Sequence, residues 1–102
     1  MSTTKKYLKS KPVCKVTFKF PKQAAKGAKK VAIVGEFNEW NKKKDSMKAL
    51  KDGSFTKTLD LKVGKEYQYR FLLDGQVWEN DWNAEKYVST GVSYDENSVV
   101  VV

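Results

Sequence analysis

Strict alternation of apolar and polar residues, over Cys14–Phe20 and again over Glu66–Phe71, restricts this chain to β-structure more than any other feature. Cys14, Val16, Phe18 and Phe20 fall on one side of an extended strand, with Lys15, Thr17 and Lys19 on the other. A period of two is what a strand with one buried face requires, because successive side chains point to opposite faces. Tyr67, Tyr69, Phe71 and Leu73 alternate in the same way with Glu66, Gln68 and Arg70. Phe55, Leu59 and Leu61 share a third face, opposite Thr56, Thr58 and Asp60. Val31 to Gly35 is a short apolar run with the look of a central strand. Tyr87-Val88 reads as a short strand and Val99 to Val102 as a final β-branched one. Between these runs, Asp52-Gly53 and Asp74-Gly75 are hairpin turn signals, and Gly64 marks a further turn. No apolar stripe has a helical period, and Gln23 to Lys26 is too short to stand alone as a helix. Short strands at regular spacing predict an all-β sandwich.

The 102 residues are enough for one domain with its own core. A chain of this size buries roughly 60–70% of its unfolded surface, so no disulfide is needed. The single cysteine, Cys14, lies on the apolar face of its strand and is expected to be a buried, inert thiol. Residues 1–12 are polar and lysine-rich and are expected to form a flexible N-terminal arm, with the domain spanning 13–102. That segment has no apolar stretch of signal-peptide type, and nothing in the chain approaches the ~20 apolar residues of a membrane span. With a lone cysteine besides, a cytoplasmic protein without membrane contact is expected.

There is no histidine. Histidine-based metal sites, Ser-His and Cys-His nucleophile pairs and a base poised near neutrality are therefore excluded. No cofactor, metal ligand or catalytic residue is expected. A glycosidase would need two carboxylates flanking the scissile bond, about 5–10 Å apart. Asp74 is better explained by its turn and Asp81 as an anchor for the loop that follows. The formal net charge of +8 comes from short lysine runs such as Lys42-Lys43-Lys44. Such a surface either attracts a polyanion or keeps a small β-domain soluble with protected edges.

The aromatic residues carry the functional signal. Trp40 and Trp78 each follow a strand and sit in or near a turn, where a core Trp is not expected. A pyranose ring packs its C–H face on a flat indole and needs planar polar groups around its rim. Arg70 lies opposite the Tyr67/Tyr69/Phe71 core row and so points to a surface. Asn97 stands just before the final strand. The alternative is that the Trp residues plug the ends of the sandwich.

Gly35-Glu36-Phe37-Asn38-Glu39-Trp40 resembles the G-x-F-N-x-W signature of the family 48 carbohydrate-binding modules. That family includes the glycogen-binding domain of the AMP-activated protein kinase β subunit and the early-set domains of branching and debranching enzymes. The resemblance continues through Asp52-Gly53-Ser54-Phe55, Leu61 to Phe71, Asp74-Gly75, Trp78 and Asn97-Ser98-Val99-Val100. It implies an immunoglobulin-like early-set sandwich that binds α-1,4-glucan such as glycogen or a starch-like oligosaccharide. It also implies that Trp40 and Trp78 stack on consecutive glucose units, while Arg70 and Asn97 hydrogen-bond to hydroxyls. The chain departs from the family at Trp82, where Pro is usual, and in the loop Val88 to Glu96.

Three functions follow as expectations. The first is a non-catalytic module that targets a glycogen- or starch-active enzyme, in trans, to its polymer. The second is an early-set domain that has lost its ligand and serves protein–protein contact. The third is a basic binder of polyanions or nucleic acid, for which no RNP-type motif speaks.

Overall fold

The computed structural model describes residues 3–90 and 96–102, and the remainder of the loop expected at Val88 to Glu96 lies outside them. Among the described residues nine strands form two antiparallel sheets. The first sheet has the order β1 (Thr3–Tyr7), β2 (Val13–Phe20), β5 (Phe55–Lys62), β4 (Lys48–Ala49). The second has the order β3 (Val31–Gly35), β6 (Glu66–Leu73), β9 (Glu96–Val101), β8 (Lys86–Ser89), and β7 (Val77–Glu79) pairs with the C-terminal half of β6. The expected all-β sandwich is what the chain forms.

The core lies between the sheets. Cys14, Val16, Phe18 and Phe20 of β2 meet Ile33 of β3, Tyr69, Phe71 and Leu73 of β6, and Val100 of β9. Phe18 packs edge-on against Tyr69 at 5.0 Å between ring centres, and Phe20 meets Phe71 at 4.6 Å. Each such ring contributes about 1.5–3 kcal/mol through burial alone. Cys14 is fully buried, as its place in the alternation requires. On the outer face of the first sheet, Thr17 bonds Thr58 at 2.9 Å and Lys15 pairs with Asp60 at 3.1 Å. These are directly opposed residues in the β2–β5 register.

Three local expectations change. Residues Thr3–Tyr7, read as part of a flexible arm, form the edge strand β1, in register with β2 from Thr3↔Phe18 to Tyr7↔Cys14. Backbone pairing and an ion pair from Lys5 to Glu85 at 2.5 Å hold it, and it carries little apolar signature. β3 is an edge strand, not a central one. Its free edge is covered instead by Asp45–Met47: Ile33 N–H donates to the Asp45 carbonyl (3.0 Å) and Met47 N–H to the Val31 carbonyl (2.8 Å). Asn97 lies inside β9 instead of before it.

The Asp74-Gly75 turn joins β6 to β7 as expected. Both residues take positive φ, 50° and 68°, and Gln76 N–H closes the turn on the Leu73 carbonyl at 2.9 Å. No helix among the described residues is long and apolar enough to cross a membrane.

Candidate functional site

The outer face of the second sheet is set by the parity of β6. Tyr69, Phe71 and Leu73 point inward, so Gln68, Arg70 and Leu72 point outward. Register carries the same face to neighbouring strands. Arg70 lies opposite Val34, Leu72 opposite Trp78, and Gln68 opposite Val99. Val34, Leu72 and Val99 are buried although they lie outside the inter-sheet core. The outer face thus has an apolar floor, with Arg70, Gln68, Asn97 and Trp78 among its polar and aromatic groups.

Trp40 reaches this region through a rigid local device. Gly35 ends β3 in extended backbone, φ −167°, so its glycine is not needed for a positive φ. It is needed for space: a Cβ there would lie 2.5 Å from the Gln68 carbonyl oxygen and 2.7 Å from Tyr69 Cβ. A single 3₁₀ turn, Glu36–Asn38, follows. Phe37 packs toward Phe18, Tyr67 and Tyr69. Asn38 is buried and fully used: its Oδ1 accepts from Gly35 N–H (3.0 Å), and its Nδ2 donates to the Ile33 carbonyl (3.0 Å) and to Asp45 (2.8 Å). Glu36 accepts from Gln68 N–H at 2.7 Å, tying the turn to β6. Glu39 and Trp40 then both adopt positive φ, 57° and 58°, with Trp40 N–H bonded to the Gly35 carbonyl at 2.9 Å. Two consecutive non-glycine residues in the left-handed region cost of order 1–3 kcal/mol each, and the surrounding staple has to enforce them. The result is an indole 37% exposed at a fixed place.

Trp78 is 39% exposed. The Nζ of Lys42, two residues beyond Trp40, stands over its ring, 5.7 Å from the centroid. The Trp40 loop and the Trp78 hairpin are therefore neighbours. A ligand on that face of Trp78 displaces the ammonium at a cost of about 0.5–1 kcal/mol, the value of an exposed cation–π contact. Beside them lies a shallow groove of about 210 Å³ lined by Lys30, Ala32, Lys42, Lys43, Leu72 and Gly75, among others.

Arg70 is clamped. Its Nε–H and Nη2–H both donate to the Glu96 carbonyl, at 3.1 and 2.9 Å, and Asn80 Nδ2 donates to the same oxygen at 2.8 Å. Two of five guanidinium donors are thus committed and the head is held in place. Asn97 is only 8% exposed and donates from Nδ2 to Gln68 Oε1 at 2.9 Å. Trp78, Arg70 and Asn97 therefore share one face, and Trp40 adjoins it through Lys42. Asn97 is the most withdrawn of the four.

Trp82, 52% exposed, stands apart in the turn after β7. Its neighbour Asp81 is buried toward the core side, accepting from Tyr69 Oη (2.7 Å) and Asn83 N–H (2.9 Å) and donating its N–H to Ser98 Oγ (2.9 Å). Burial, and then the adjacent Asp81 carboxylate, hold the Tyr69 hydroxyl well above its usual range. Asp81 is thus a structural anchor, as expected. Asp74 is one too: a single carboxylate oxygen accepts from both Lys29 and Lys30 N–H at 2.9 Å. Among the described residues no group of three or more Cys, Asp or Glu is placed to hold a metal ion.

Sequence reasoning missed Gln68, Asn80 and the Lys42–Trp78 contact. Gln68 shares the parity of Arg70 and was legible in principle. Lys42 reaches Trp78 across two loops, and local pattern carries no trace of that.

The family described as the glycogen recognition site of AMP-activated protein kinase matches residues 14–100. This chain belongs to that family. It is 44% identical over 57 residues to 5'-AMP-activated protein kinase subunit beta-2 of Mus musculus, and equally so to the Rattus norvegicus and Homo sapiens proteins. The matched stretch covers 56% of this chain and 20% of each relative, so the chain spans a fraction of their length.

Proposed function

We propose that this glycogen-recognition domain holds α-1,4-linked glucan on the outer face of its second sheet and performs no chemistry on it. Trp40 and Trp78 stack on glucose rings. Arg70, oriented by the Glu96 carbonyl, directs its remaining donors to hydroxyls. Asn97 contributes through Gln68, to whose Oε1 its Nδ2 donates. What supports this reading is that Trp40 and Trp78 are both part-exposed and that Lys42, two residues beyond Trp40, reaches over the Trp78 ring. Positive φ at Glu39 and Trp40 follows a turn stapled by the buried Asn38, which leaves the Trp40 indole 37% exposed.

Preorganised aromatics bind with little side-chain entropy to lose. Base–aromatic stacking, the nearest measured analogue, is worth about 1–3 kcal/mol per ring. Two rings and a few hydrogen bonds place the dissociation constant roughly in the micromolar to millimolar range. Weak binding of this kind suits targeting, in which a glucan-active enzyme in trans gains local concentration of its polymer.

The test is a titration with maltoheptaose or β-cyclodextrin followed by Trp fluorescence. Saturable change is expected, with Trp40→Ala and Trp78→Ala each weakening binding about tenfold while remaining folded. Undiminished binding by both variants defeats the proposal.

A further inference from the structure

Three lysines line the groove beside Trp78: Lys30, Lys42 and Lys43. The groove lining includes no carboxylate. Five other lysines, Lys5, Lys15, Lys26, Lys57 and Lys86, form ion pairs with carboxylates. Among the described residues none of the three groove lysines does. Asp74, which precedes Gly75 of the lining, spends one carboxylate oxygen on the backbone N–H groups of Lys29 and Lys30. Three cations thus line one carboxylate-free groove beside the proposed sugar site. A neutral glucan gives three such ammonium groups nothing to neutralise.

We propose that the domain prefers α-glucan carrying phosphate monoesters, with the ester held in this groove by Lys30, Lys42 and Lys43. The inference rests on the glucan reading above and narrows it to a substrate class. A sugar stacked on Trp78 presents its edge substituents sideways, and the groove opens beside the ring over Leu72 and Gly75. A phosphate monoester carries about −1.5 to −2 charge at pH 7. Lysine ammonium groups bind it as point charges and adapt through long stems. Lys42 has the shortest path: displaced from the Trp78 ring by the sugar, its ammonium remains at the rim, facing the ligand.

The test compares a linear maltodextrin bearing 6-phosphate monoesters with the same material after alkaline phosphatase, using the whole chain. At low salt the phosphorylated form should bind about five- to tenfold tighter, a sum of a few exposed charge pairs. The advantage should largely vanish at about 0.5 M NaCl, where screening is strong. The double variant Lys30→Gln/Lys43→Gln should keep wild-type affinity for the dephosphorylated dextrin and lose most of the preference. Equal affinity for the two dextrins overturns the proposal, as does a preference undiminished in the variant. Inorganic polyphosphate binding as tightly as the phosphodextrin also overturns it, because the sugar would then not be read. Failure to bind even the dephosphorylated dextrin is a different result and defeats the glucan reading itself.

Discussion

Each position of Gly35-Glu36-Phe37-Asn38-Glu39-Trp40 has a separate physical job. Gly35 admits the Gln68 carbonyl, Glu36 bonds the Gln68 amide, Phe37 fills the core end, and Asn38 staples the turn. Gly35→Ala is expected to cost about 1–3 kcal/mol, because the new Cβ meets backbone and Tyr69, neither of which can swing away. Urea denaturation measures this as a lowered midpoint. Asn38→Ala removes three buried hydrogen bonds and orphans the Gly35 N–H, an expected loss of about 3 kcal/mol. It should also weaken glucan binding without touching ligand, since it releases the Trp40 backbone. Calorimetric titration under conditions where the variant is folded separates the two effects. Outward exposure of Arg70 was legible from strand parity alone. Burial of Asn97 was not, because its partner Gln68 lies 29 residues away in sequence and only the β6–β9 register joins them.

At the scale of elements, β2, β5 and β6 were legible because each has one wet and one dry face, and the period-2 pattern records that directly. β1 escaped notice because an edge strand held by backbone pairing needs no alternation. β3 read as central because both its faces are buried. The segment that covers its open edge, Asp45–Met47, pairs through isolated contacts that leave no pattern. The loop after β7 is docked by Tyr69 on Asp81, by Ser98 on the Asp81 and Asn80 groups, and by Tyr87 on the Asp81 carbonyl. Docking makes stability pH-dependent in the alkaline range. The Tyr69 hydroxyl ionises only well above its ordinary value in the fold, but near 10 when unfolded. Its stabilising contribution is complete below pH 10. Above that the unfolded chain binds fewer protons than the folded one, so stability falls as pH rises. Equilibrium unfolding between pH 8 and about 11 should show this decline, with a smaller slope for Tyr69→Phe, which is already weaker at neutral pH. Trp82 lies on the same loop, next to the buried Asp81. Trp82→Ala should leave maltoheptaose affinity within about twofold of wild type.

For the whole molecule, both sheets build the core, and the proposed glucan face belongs to the second. The first sheet closes the core and turns Thr and Lys residues outward in cross-strand pairs. The second turns a floor of Val34, Leu72 and Val99 outward, rimmed by Arg70, Gln68, Asn97 and Trp78, with the groove of Lys30, Lys42 and Lys43 beside it. Its central claim is that Trp40 and Trp78, but not Trp82, meet the glucan. The indole N–H resonances of the three Trp residues, assigned by single substitution and followed by NMR during maltoheptaose titration, test it most directly. The account predicts saturable shifts of the Trp40 and Trp78 resonances with one shared dissociation constant, and a Trp82 resonance that stays in place. A shift confined to Trp82, or no shift at saturating glucan, would contradict it.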